Sequence, residues 1–149
     1  MRSVSLILFF GLLFFSCKKE SIPAVITSID SGTTFKIQDV QLANGSIAYA
    51  VGGDRYTESI LLKSIDAGQT WQRLNTTELG KTFFSLDTSE DGDMISCSYD
   101  GWFFILDGSE LEGTVTRGPM WLPVHSVKMV HENLYVMVGG NGFETGFSG

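Results

Sequence analysis

One run of eight residues, Ser64-Ile65-Asp66-Ala67-Gly68-Gln69-Thr70-Trp71, constrains the fold of this chain more than any other. Residues 60–63 (Ile-Leu-Leu-Lys) before it and 71–74 (Trp-Gln-Arg-Leu) after it read as strands, and the run is the hairpin turn between them. Asp66 is placed to accept backbone N–H bonds inside the turn, and Gly68 takes a positive φ without steric cost. Ser64 and Thr70 tie the strand ends together, and Trp71 opens the next strand as a large buried anchor. A turn this elaborate, flanked by short apolar runs, commits the chain to antiparallel sheet.

The rest of the chain repeats that grammar. Strands are expected over residues 35–42, 47–51, 59–63 and 70–74, joined by turns at Ala43-Asn44-Gly45 and Gly52-Gly53-Asp54. A second unit places strands over 82–86, 94–99, 102–106 and 113–117, with Asp107-Gly108-Ser109 as a reduced version of the eight-residue turn. A third opens with strands over 124–130 and 134–138, where Gly139-Gly140-Asn141 echoes Gly52-Gly53-Asp54 two units on. Units of about 40–45 residues account for that spacing. Abundant glycine (17) against scarce proline (3) suits many tight turns between short strands.

Ser64, Asp66, Gly68, Thr70 and Trp71 together match the pattern S-x-D-x-G-x-T-W, and the stretch resembles the Asp-box, or bacterial neuraminidase repeat. In proteins carrying it, this box joins the two outer strands of a β-propeller blade and serves folding rather than catalysis. With Gly52-Gly53 upstream, residues 35–74 are similar to the repeats of photosystem II assembly and stability factors, and more distantly to sialidase-like folds. The resemblance implies an all-β chain forming a partial β-propeller of about two and a half four-stranded antiparallel blades (residues 35–75, 81–117 and 124–149). Two and a half blades do not close a ring, so the expectation is a fragment of a ring of about six to eight blades, whose two terminal faces would be open to water, with assembly from copies of the chain as the alternative.

The N-terminus reads as an address. Arg2 precedes an apolar run over residues 4–15, shorter than the roughly 20 residues that span a bilayer. Phe14-Phe15-Ser16-Cys17 then resembles a lipobox, which implies a lipoprotein signal peptide over 1–16, lipidation at Cys17, a tether over 17–23 and a propeller segment over 24–149. The expected location is the cell envelope, with the lipid chains as membrane anchor. An ordinary cleaved secretory signal is the alternative. Cys97 is the other cysteine and lies in an expected inner strand, as a small buried hydrophobe. A net charge of −7 argues against nucleic acid as a partner.

Candidate chemistry is sparse. Sialidases grip a substrate carboxylate with three arginines, but Arg55, Arg73 and Arg117 read as surface residues. Residues 87–93 imitate a calcium loop, yet the position that needs a bidentate Glu holds Ser98, so a polar hairpin turn is the better reading. His125 and His131, six residues apart on one strand, would stand roughly 20 Å apart and cannot share a metal ion. Tyr56, Trp102, Trp121 and Phe143 are either sugar-stacking platforms or, as is commoner, packing between blades. No catalytic residue, metal or cofactor is expected. The reading that results is a non-catalytic, lipid-anchored envelope propeller presenting loops to a protein or glycan; its alternative is part of a sialidase-like glycoside hydrolase.

Overall fold

In the computed structural model, the described residues are 26–76, 79–119, 121–131 and 133–140. The signal peptide, the tether, Cys17 and Phe143 lie outside them. Ten strands follow in order. Sheet I holds β1 (Ile37–Leu42), β2 (Ala48–Asp54), β3 (Glu58–Ser64) and β4 (Gln72–Arg73). Sheet II holds β5 (Phe83–Thr88), β6 (Met94–Ser98), β7 (Trp102–Leu106) and β8 (Thr114–Arg117), and sheet III pairs β9 (Val124–His131) with β10 (Leu134–Gly139). Every pairing between these strands is antiparallel and joins chain neighbours. The architecture is all-β; among the described residues one 3-10 turn, Tyr99–Gly101, lies between β6 and β7.

Side-chain alternation stacks the sheets. Tyr49, Val51 and Leu61 of sheet I meet Phe83, Leu86, Met94, Phe104 and Leu106 of sheet II in one apolar layer. The opposite face of sheet II sends Ile95, Cys97 and Phe103 against Val124 and Val127 of sheet III. Successive residues of β6 and β7 thus serve alternate layers, as a period of two requires. Each fully buried Leu or Phe in these layers stabilises the stack by about 1.5–3 kcal/mol.

The first strands of the three sheets lie side by side, β1 against β5 and β5 against β9. Carboxylates clamp these junctions. Asp39 Oδ2 accepts the Leu86 N–H (3.0 Å) and the Ser85 hydroxyl (3.1 Å). Asp87 accepts the Met129 N–H at 2.7 Å and the Lys128 ammonium at 2.8 Å. Bulges at the starts of β1 and β5 break the register there, around Gln38 and Phe84. Gly52 closes the same end of sheet I: a Cβ there would stand 2.0 Å from the Lys36 carbonyl oxygen, so no larger residue fits.

Two details depart from expectation. β4 is two residues long rather than five, because the Thr70 N–H is already given to Asp66 and ladder pairing begins beyond Trp71. Trp71 is half-buried, packing with Ile37 over Ala50, Ile60 and Leu62, so that part of this face of sheet I is covered, while Val40 and Leu42 on the same face stay exposed. The outward face of sheet III does leave Val130, Leu134, Val136 and Val138 exposed.

Candidate functional site

The Ser64–Trp71 turn is chemically saturated. Asp66 Oδ1 accepts from the Ser64 hydroxyl (2.7 Å) and the Thr70 N–H (2.8 Å), and Oδ2 accepts from the Thr70 hydroxyl (2.6 Å). Ser64 Oγ in turn accepts the Gly68 N–H at 2.8 Å, with Gly68 at φ 87°. Ala67 also takes a left-handed φ of 57° and donates its N–H to the Ser46 carbonyl, joining this turn to the one between β1 and β2. The hydroxyl of Thr70, its backbone N–H and the hydroxyl of Ser64 together lower the Asp66 carboxyl to about 2. These bonds hold a hairpin closed, and both carboxylate oxygens are engaged within it.

The opposite end of β3 is different. Asp54 shapes the β2–β3 turn by accepting the Arg55 N–H (2.8 Å) and the Thr57 hydroxyl (2.7 Å), which hold its carboxyl below the usual carboxylate range, Thr57 most of all. The turn projects Arg55 and Tyr56 across to sheet II. Arg55 Nε donates to the Tyr99 hydroxyl at 2.6 Å, and its guanidinium carbon lies 5.4 Å from the Tyr56 ring and 5.8 Å from the Tyr99 ring. That hydrogen bond is the main reason the Arg55 pKa is raised. Its terminal Nη groups make no hydrogen bond or ion pair with any other described residue.

A row of rings continues from there. Tyr56 and Tyr99 centroids are 5.1 Å apart, Tyr99 and Phe84 4.7 Å, and Phe84 and His125 5.0 Å. The row crosses all three sheets at one end of the stack. Beneath it lies a cleft of about 310 Å³ between sheets I and II, lined by Lys36, Gln38, Asp54, Arg55, Thr82, Phe84 and Tyr99, with Gly53 at its edge. The Asp54 carboxylate is taken up by the turn, and no described carboxylate pairs with the Arg55 guanidinium, so its donors and the neighbouring π-faces suit an anionic or aromatic ligand group. Larger clefts of about 480 and 370 Å³ lie at the outer rim around Asn75 and Thr76, adjoining positions 77–78 outside the described residues. Arg73 lines the first of these and is already paired with Glu58.

The remaining candidates separate. Arg55 sits on the β2–β3 turn, Arg73 on β4 and Arg117 at the end of β8, each with its own partners: Tyr99, Glu58, and the Asp100 carbonyl with Trp121. Asp87 clamps sheet III, while Asp93 accepts the Gly108 N–H at 2.9 Å. His125 and His131 stand at opposite ends of β9. Cys97 is fully buried, and burial pushes its thiol up to about 12. Tyr56 (62%) and Trp121 (72%) are exposed rather than packed between sheets.

Sequence reasoning missed Tyr99 and Phe84. The signal lies in the repeat: Tyr99 follows β6 as Arg55 follows β2, and Phe84 fills the bulge of β5 as Gln38 fills that of β1. Residues at these two positions in each unit converge on one end of the stack.

A solved structure of YCF48 bound to D1 peptide superposes on the chain with a TM-score of 0.58 and 19% identity, covering 79% of this chain. The fold is that of a β-propeller. Sheets I and II are four-stranded antiparallel sheets of the blade type, and sheet III is an antiparallel pair among the described residues. The superposition spans 39% of the YCF48 chain. No family model matches the sequence, and no curated protein matches it. The Arg55–Tyr99 cleft opens beside β1 and β5, the adjoining first strands of sheets I and II.

Proposed function

We propose that this chain is a non-catalytic binding propeller that takes a peptide segment of a partner protein in the Arg55–Tyr99 cleft. The observation that carries this reading is Arg55 itself. It is held by Tyr99 and stacked beside two rings, and its Nη donors are open at the mouth of a cleft between blades. Such a site orients a carboxylate through the guanidinium fork and packs an apolar side chain on Tyr56, Tyr99 and Phe84. That YCF48 has been solved with a D1 peptide supports a peptide as the class of ligand for a propeller of this kind.

Two further elements belong to the proposal. Ser64, Asp66, Gly68, Thr70 and Trp71 form an Asp-box that maintains the outer hairpin of blade I, apart from the ligand. Cys17 is lipidated after removal of residues 1–16 and anchors the propeller to the cell envelope. Fatty-acid labelling of wild type and Cys17→Ala tests the anchor, and equal label in both proteins rejects it. For the cleft, peptides are selected by phage display on the mature protein and their affinities measured for Arg55→Ala and Tyr99→Ala. We expect losses of about tenfold or more, roughly 1.4 kcal/mol per tenfold. Binders indifferent to both changes would place the ligand elsewhere.

A further inference from the structure

The row of rings reaches further than the cleft beneath it. From Tyr56 on the β2–β3 turn it passes Tyr99 and Phe84 of sheet II and ends at His125 on β9 of sheet III. Tyr56 and His125 are exposed, and Tyr99 and Phe84 are half-buried. The bulge in β5 re-aims Phe84 into the row, and the matching bulge in β1 sets Gln38 in the cleft wall. End to end the row covers at most about 15 Å, which is about four or five residues of extended chain at roughly 3.3 Å each. One turn of helix, about 10 Å wide and 5.4 Å long, fills about 420 Å³. The cleft holds about 310 Å³, so it takes side chains from an extended segment but not a helical turn.

Charge along the row is one-sided. Arg55 and Lys36 both line the cleft at the sheet I end, and neither forms a salt bridge with a described carboxylate. At the sheet III end Lys128 is committed to Asp87, and His125 Nε2 lies 3.3 Å from the Gly140 carbonyl oxygen. An acidic group is therefore matched at one end only, and ring surface follows it. In an extended segment every second side chain faces the same way, about 6.6 Å apart. Two such steps match the length of the row. They set the acidic residue at Arg55, an apolar one against Tyr99 and Phe84, and a second apolar one against Phe84 and His125.

Resting on the cleft as a peptide site, we infer that the partner segment crosses from sheet I to sheet III as an extended strand of about five residues. It carries an acidic residue at Arg55 and apolar residues two and four positions away. His125 is the specificity-determining residue for the last of these.

The strongest Arg55-dependent peptide from phage display is synthesised with blocked termini and titrated at pH 8 against the mature protein. Alanine substitution along it should place the sensitive positions at an acidic residue and at the second and fourth residues from it. One glycine inserted after the acidic residue puts the apolar side chains on the wrong face and should weaken binding about tenfold or more. His125→Ala should weaken the parent peptide by about tenfold, and by less than about twofold the peptide whose last apolar residue is serine. Exposure of His125 makes a folding defect an unlikely source of that loss, and equal melting temperatures of variant and wild type check it. Sensitive positions at helical spacing, a tolerated glycine insertion, or His125→Ala binding the parent peptide as wild type overturns the inference while leaving the cleft as the peptide site. Selected peptides indifferent to Arg55→Ala and Tyr99→Ala overturn both.

Discussion

Replacing Tyr49 by Phe tests the junction of the first two blades through one atom. Tyr49 is fully buried, and its hydroxyl donates to the Gly92 carbonyl at 2.8 Å, from β2 of blade I to the β5–β6 turn of blade II. Phe fills the same space, so no cavity opens and the apolar layer stays packed. What is lost is the hydrogen bond, leaving the Gly92 carbonyl without that donor in a buried setting. The cost is about 1–3 kcal/mol. For a chain of this size that lowers the melting temperature by roughly 3–10 °C. Burial, with Asp93 and Asp107 adding repulsion, raises the Tyr49 phenol from 10.0 to about 12. A folded-state pKa above the unfolded one gives stability that is complete below pH 10 and lost as pH rises towards about 12. Thermal melts of both proteins at pH 7 and across pH 9–12 check both parts. Tyr49→Phe should be less stable at pH 7 and should show a shallower alkaline decline. A variant that melts with wild type at pH 7 would mean that the hydroxyl is solvated and the blades do not pack here as described.

Other expectations follow from single contacts. Asp66, held at about 2, contributes stability present above pH 3.8 and lost as pH falls towards 2; Asp66→Asn should flatten that part of an acid melt without changing ligand affinity. Asp39→Ala leaves the Leu86 N–H and Ser85 hydroxyl without their carboxylate and should speed amide exchange along β5 relative to β7. Cys97, buried with its thiol raised to about 12, should resist alkylation in the native protein at pH 8 and react on denaturation.

The strands were legible because alternation and turn chemistry agree along the chain. Residues 102–106, for example, are expected as a strand and form β7 over the same span, with Phe103 and Phe104 facing opposite layers. The turn at Asp66 was legible because its bonds are local. β4 was overestimated because strand propensity cannot show that the turn has already taken the Thr70 N–H. The cleft was hidden for the opposite reason. Arg55, Phe84, Tyr99 and His125 come from four separate segments and meet only when three sheets stack at one end. Trp121 illustrates a further limit: in sequence an aromatic residue between strands reads as core, and its exposure depends on where β8 ends.

The central claim is that ligand binds at the Arg55–Tyr99 end of the blades and that the Asp66 end serves the fold. Amide hydrogen exchange of the full chain, with and without a selected peptide, tests it most directly. Slowed exchange at residues 54–58, at Phe84 and at Tyr99–Gly101, with residues 64–71 unchanged, is the predicted result. Protection confined to residues 64–71 would contradict the account.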